Sequence, residues 1–65
     1  MNKKQAKYIF RGTANLAKAL DITRQAIHQW PSELTQRQED TVMGAALRLG
    51  IDTTLPEYIK NEQTN

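Results

Sequence analysis

Polar side chains near the middle of the chain are the best candidates for binding a ligand. They share one face of a short predicted helix, and they are Arg24, Gln25, His28 and Gln29. An arginine can donate two hydrogen bonds to guanine, and a glutamine can pair with adenine in the same bidentate way. The set contains no acidic residue, so it favours contact with the edges of DNA bases.

Two short helices joined by a tight turn are predicted around this set. Apolar side chains recur at helical spacing and define the inward positions Leu16, Ala17, Leu20, Ile22, Ala26, Ile27 and Trp30. Ala17 is small, which allows two steeply crossing helices to approach each other closely. Thr23 has the chemistry of an N-cap for the second helix. In such a pair the second helix presents its outward residues to the major groove.

The segment from Thr13 to Trp30 resembles the helix-turn-helix of the Cro-type repressors of lambdoid phages and related prophages. The similarity is carried by Leu-Ala-Lys-Ala-Leu-x-Ile-Thr and by the closing Ile-x-Gln-Trp. Further along, Met-Gly-Ala-Ala-Leu-Arg-Leu-Gly looks like the helix that follows in such proteins. The resemblance implies a lambda-repressor-like domain, a dimeric repressor that binds an operator, a bacterial or phage setting, and base contacts by the four polar residues named above. One turn position that often holds glycine is Asp21 here, and that site commonly requires a left-handed backbone.

Further polar residues flank the motif and are expected to contact the DNA backbone. They are Arg11, Thr13, Asn15, Lys18 and Thr23. The lysines of the first helix are interpreted more readily as a solvated surface than as phosphate contacts, and they are Lys3, Lys4 and Lys7.

The whole chain is predicted to be an all-α domain of four to five helices within residues 1–60. The helices are placed at about 2–10, 14–20, 24–30, 36–49 and 56–60, and residues 61–65 are predicted to be a disordered tail. Thr13 is interpreted as the N-cap of the second helix. Thr35 and Gln38 have the spacing of a capping box, and Gly50 fits a left-handed C-cap.

The fourth predicted helix supplies apolar residues to the core and to an interface. Its inward positions are predicted to be Val42, Met43, Ala46, Leu47 and Leu49. A chain of 65 residues buries a thin core, so some apolar side chains are expected to remain at the surface. We expect a weak homodimer formed by residues after Val42, with the candidate interface residues Met43, Leu47, Ile51 and Leu55.

Charge is unevenly distributed along the chain, although the net charge is only +2. Residues 1–30 carry six lysines and arginines against one acid, and residues 31–65 carry three against six. A basic surface raises the local concentration of phosphate groups.

Cysteine is absent, so neither a disulfide nor a thiolate metal site is expected. No stretch approaches the roughly 18 apolar residues of a membrane helix and no signal peptide is evident, so a soluble, cytoplasmic protein is expected.

Catalysis is not expected, and neither is a metal site, a cofactor or a small-molecule substrate. Glu39 and Asp40 are adjacent and therefore point in different directions on a helix, which does not make a catalytic pair. The main alternative to a DNA-binding regulator is a protein-binding module, antitoxin- or antirepressor-like, whose acidic half docks a partner. RNA binding is a third interpretation, for which Tyr8 and Tyr58 are the only candidates to stack on bases.

Overall fold

Five helices follow one another within residues 1–60. The computed structural model describes residues 1–60, and the helices are α1 (Lys3–Phe10), α2 (Thr13–Leu20), α3 (Arg24–His28), α4 (Gln36–Leu49) and α5 (Glu57–Lys60). Extended pairing within this range is limited to an isolated bridge between Asn2 and Glu33. The predicted all-α fold is therefore confirmed, in a form that agrees with a small helix-turn-helix domain. The tail predicted at 61–65 lies outside the described residues.

Capping boxes begin α1 and α4. The predicted box at Thr35 is confirmed, since its Oγ1 accepts from the N–H of Gln38 at 3.2 Å and its own N–H donates to Gln38 Oε1 at 3.0 Å. Asn2 and Gln5 form the same reciprocal pair at the start of α1, at 2.8 and 2.9 Å. In each box two side-chain oxygens accept from two backbone N–H groups that the helix itself leaves without partners.

Thr13 is not the N-cap of α2, and the prediction at this position was wrong. The helix begins at Thr13, and the N-cap is Gly12, which has φ 126° and makes no side-chain capping bond. The cause lies in the end of α1, where Arg11 adopts a left-handed backbone and the N–H of Gly12 donates to the carbonyl of Lys7 at 2.8 Å. That turn places Gly12 at the boundary between α1 and α2, so Thr13 is the first residue of α2 and not its cap.

Three helices end in the same hydrogen-bonded motif. Its left-handed residues are Arg11 (φ 63°), Asp21 (φ 57°) and Gly50 (φ 69°). In each case the N–H of the following residue reaches back to a carbonyl five positions earlier, at 2.8 to 3.0 Å, as in a Schellman motif. The left-handed backbone expected at Asp21 and the C-cap expected at Gly50 are both confirmed.

The core is centred on α2, which packs against α1, α3 and α4. Leu16, Ile27 and Val42 are its largest fully buried side chains, and they come from three different helices. Burying a side chain of this size contributes about 1.5–3 kcal/mol relative to leaving it in water. Ala17 is 4% exposed, and its small size keeps α2 and α3 close, as predicted.

The inward face of α4 differs from the prediction in its larger residues. Leu47 and Leu49 are exposed, at 84% and 51%, and Met43 is exposed at 38%. Ala45 is buried instead, beside the correctly predicted Ala46 and Val42. Ala45 and Ala46 follow Val42 by three and four residues and share its side of the helix, so Met43 and Leu47 are turned away from it, and Leu49 is the last residue of α4.

Both the end of α3 and the burial of Trp30 depart from the prediction. The helix stops at His28 rather than at Trp30, and Gln29 caps it. Trp30 is half-buried at the edge of the core instead of inside it. Because the helix ends before Trp30, helical spacing no longer places the tryptophan side chain on the same face as Ile27.

The segment after α4 returns the chain to α1. Asp52 accepts a hydrogen bond from the N–H of Thr54 at 2.9 Å, which lowers the pKa of the Asp52 carboxyl below its usual value. Pro56 directly precedes α5, whose one buried residue is Ile59. The Nε2 of Gln5 donates to the carbonyl of Ile59 at 3.1 Å and so ties α5 to the start of α1.

Candidate nucleic-acid interface

The helix α3 begins at a side-chain cap and is anchored by one fully buried residue. Thr23 has an extended backbone, and its Oγ1 accepts from the N–H of Ala26 at 3.1 Å, which confirms the predicted N-cap. Ile27 is completely buried and Ala26 is half-buried. Because these two residues face the core, the remaining side chains of α3 face solvent.

The side chains predicted to contact bases lie together around one open depression. It has a volume of about 550 Å³ and is lined by Thr23, Arg24, Gln25, His28 and Gln29. All five residues are exposed, and none is acidic. Within residues 1–60, the four candidate base-contacting side chains make no hydrogen bond or ion pair. Their donors and acceptors are therefore available to a ligand.

The starts of the helices differ in charge between the two halves of the chain. The first turns of α1, α2 and α3 contain no acid, whereas those of α4 and α5 contain Glu39 and Glu57. A helix N-terminus carries a partial positive charge that a nearby anion stabilises. Arg24, the first residue of α3, adds a full positive charge there. The exposed surface around α3 therefore favours an anionic ligand.

The turn between α2 and α3 fixes the direction in which α3 leaves α2. The N–H groups of Asp21 and Ile22 donate to the carbonyls of Lys18 and Ala17, at 3.2 and 3.0 Å. The side chain of Ile22 is half-buried against the core. Backbone bonds and packing thus hold the turn together, as a helix-turn-helix requires.

The residues predicted to contact the DNA backbone do not form one cluster. Thr23 borders the depression of α3, while Asn15 and Lys18 line a separate depression of about 430 Å³ beside the end of α4. Arg11 lines a third depression, of about 490 Å³, and Thr13 is half-buried at the start of α2. A duplex that contacts all of them has to extend well beyond α3.

Basic side chains from other helices reach the C-terminal ends of α2 and α3. Arg48 Nη2 donates to the carbonyl of Ala19 at 3.1 Å. Lys3 Nζ donates to the carbonyls of His28 and Trp30, at 3.2 and 3.1 Å. The last carbonyls of a helix lack intrahelical partners, and a cation there is favoured by the helix dipole. The contacts of Lys3 were not predicted, because separations of 25 and 27 residues leave no local signal in the sequence.

Only part of the predicted dimer surface is accessible in the described chain. Leu47 is 84% exposed and Met43 is 38% exposed, both on the outward face of α4. Ile51 and Leu55 are half-buried and pack against the core. The exposed apolar surface of this region therefore centres on Leu47.

Comparison of the chain with protein-family models, with curated proteins and with solved structures gave no match. Among residues 1–60, no three His, Cys, Asp or Glu side chains are grouped so that they could hold a metal ion. The longest helix, α4, has 14 residues, and no helix in this range is long and apolar enough to cross a membrane.

Proposed function

We propose that this chain is a sequence-specific, double-stranded DNA-binding transcriptional regulator that reads the major groove with α3. The depression of about 550 Å³ on α3 carries the proposal, because its side chains are exposed and include no acid. The four candidate base-contacting side chains also make no hydrogen bond or ion pair within residues 1–60. A major groove about 12 Å wide admits an α-helix and presents a distinct pattern of donors and acceptors for each base pair.

Each side chain of the depression has a role that follows from its chemistry. Arg24 would donate two hydrogen bonds to guanine O6 and N7, and Gln25 and Gln29 would pair with adenine N6 and N7. His28 would bond a base edge or a phosphate. Backbone contacts are proposed for the flanking residues Arg11, Thr13, Asn15, Lys18 and Thr23.

The biological setting that we propose rests on the resemblance of residues 13–30 to Cro-type repressors. In that setting the chain acts in the cytoplasm of a bacterial host as a phage or prophage repressor. Its operator would be palindromic, because a symmetric dimer presents two copies of α3 to two half-sites.

The test is selection of binding sites from a random pool of duplex DNA at about 150 mM salt. We expect enrichment of an inverted repeat whose half-sites lie about one helical turn apart. Enrichment of a single half-site would support sequence-specific DNA binding and contradict binding as a dimer. Weak retention without enrichment would contradict the proposal and favour the protein-binding module.

Two alanine variants separate base reading from phosphate binding. Arg24→Ala should cost roughly 1–3 kcal/mol of discrimination at one base pair, while Lys18→Ala should weaken binding to all sequences alike. Arg37→Ala is the matched control, since it removes the same charge from an exposed site on α4. If Arg24→Ala kept the sequence preference of the wild type, α3 would not be the helix that reads the bases.

We further propose that a second copy of the chain is the protein partner, in a weak dimer through the outward face of α4. The exposed apolar residues of this face are Met43 and Leu47, which lie four residues apart and therefore on the same side of the helix. A symmetric contact between two α4 helices would set these apolar side chains against those of the second copy. Leu47, which is 84% exposed, would be covered in this contact.

Sedimentation equilibrium over a range of concentrations tests this dimer. Leu47→Lys should weaken self-association at least about tenfold, which corresponds to about 1.4 kcal/mol. Tyr58→Lys is the control, because it places the same charge at an apolar site that is 72% exposed on α5. A wild-type chain that stays monomeric at high concentration, both free and on DNA, would exclude the dimer.

A further inference from the structure

The side chain of Lys3 crosses from the first residue of α1 to the end of α3. Its Nζ donates to the carbonyl of His28 at 3.2 Å and to the carbonyl of Trp30 at 3.1 Å. These carbonyls lie where α3 ends and the chain turns towards Pro31. One ammonium group thus bonds two backbone acceptors at the C-terminal end of the helix that carries the candidate interface.

The helix α3 has few other means of holding its position. It contains five residues, one of them fully buried, and its main packing partner is α2. A helix this short does not persist in water by its own hydrogen bonds. Its N-terminal end is fixed by the cap at Thr23, and its middle is fixed by Ile27. Lys3 supplies a further contact at the opposite end.

The backbone around Lys3 is itself tied to the segment that follows α3. The N–H of Lys3 donates to the carbonyl of Ser32 at 2.8 Å, and the N–H of Leu34 donates to the carbonyl of Met1 at 3.0 Å. These bonds flank the bridge between Asn2 and Glu33. The base of the Lys3 side chain is therefore fixed, which reduces the conformational entropy lost when its ammonium group bonds α3.

We infer that Lys3 is a positioning residue for sequence reading by α3, an inference that rests on the proposed function. Lys3 makes no contact with DNA in this role. It fixes the C-terminal end of α3, and with it the direction in which His28 and Gln29 point. The charge of Lys3 is directed at protein carbonyls, which distinguishes it from a lysine that binds phosphate.

The test compares Lys3→Met with Lys3→Arg and with Lys7→Met. Lys3→Met removes the ammonium group and keeps much of the apolar stem, whereas Lys3→Arg restores a donor. Lys7→Met removes one charge from the same helix at a side chain that makes no hydrogen bond or ion pair within residues 1–60. Two quantities are measured in each variant. The first is the rate of amide hydrogen exchange at residues 27–30 relative to the rate in α4. The second is the affinity for DNA over a range of salt concentrations.

In Lys3→Met we expect amide exchange near the end of α3 to accelerate about fivefold relative to α4. The ratio of affinities for the selected site and for random DNA should fall by a similar factor, while the dependence on salt stays unchanged. Lys3→Arg should recover both quantities, and Lys7→Met should leave both as in the wild type.

Other outcomes would overturn the inference. Unchanged exchange at the end of α3 in Lys3→Met would show that Lys3 does not hold this helix. Equal weakening on all DNA, with a salt slope reduced by about 0.9, would make Lys3 a phosphate contact. If the wild type prefers no DNA sequence, the proposed function fails, whereas the exchange experiment still decides whether Lys3 holds α3.

Discussion

The left-handed residue that ends α2 allows a direct test of how the helix-turn-helix is held. Asp21 has φ 57° and ψ 44°, a conformation that costs most L-residues roughly 1–2 kcal/mol and aspartate somewhat less. Its exposed carboxylate also lies at the C-terminal end of α2, where the helix dipole disfavours negative charge. Asp21→Gly removes both effects and is expected to stabilise the fold.

The size of this gain follows from three contributions. Relief of the left-handed strain contributes about 1 kcal/mol for aspartate, and removal of the carboxylate contributes about 0.3–0.5 kcal/mol. Glycine adds freedom to the unfolded chain, which opposes these gains by roughly 0.5–1 kcal/mol. The expected net gain is about 0.3–1 kcal/mol, which corresponds to about 1–8 °C in the midpoint of unfolding for a domain of this size.

Thermal unfolding followed by far-ultraviolet circular dichroism measures this shift. Asp21→Asn removes the charge and keeps a side chain, so it should give a smaller increase than Asp21→Gly. Gly50→Ala is the matched control, because it places a Cβ at φ 69° at the end of α4 and should lower the midpoint. A midpoint that falls in Asp21→Gly would refute the argument for this turn.

Further predictions concern stability and its dependence on pH. Trp30→Ala should reduce the free energy of unfolding in urea by about 2–3 kcal/mol, below the roughly 3–5 kcal/mol of a fully buried tryptophan, because Trp30 is half-buried. Gly44→Ala should increase it by up to about 1 kcal/mol, since Gly44 lies within α4 and an added Cβ would meet open space; a decrease would mean that this position needs glycine. The Met1 ammonium donates to Glu39 at 2.7 Å and to Glu33 at 3.3 Å, which raises its pKa above the usual 8.0. Its contribution to stability is therefore complete below about pH 8 and is lost as the pH rises through the raised pKa. The midpoint of unfolding should therefore fall as the pH rises above about 8, and Glu39→Gln should reduce that fall.

Local hydrogen-bonding chemistry made most helix boundaries predictable. Thr23, Thr35 and Gly50 have side chains or a backbone that suit one end of a helix, and each serves there as expected. Asn2 and Gln5 have the same spacing as the pair at Thr35, so the capping box of α1 could also have been found. Thr13 was misassigned because the competing signal, a left-handed turn at the end of α1, falls on an arginine and not on a glycine.

The outward side chains of α3 were predictable for the same reason that its inward ones were. Helical spacing determines both faces once Ile27 is placed in the core. The pattern could not rank the residues of α4, because Leu47 is more apolar than Ala45 and yet lies on the exposed side of the helix, while Ala45 is buried. The contacts of Lys3 depend on tertiary structure alone, so no spacing in the sequence indicated them.

The way in which α3 is anchored affects how the sequence of this protein can evolve. Ile27 is its one fully buried residue, and the exposed side chains beside it take no part in bonds within the described chain. Exchanges at exposed positions of this kind usually change stability by no more than about 0.5 kcal/mol. Selection can therefore replace the contact residues one by one, and a new ligand preference can arise without compensating substitutions in the core.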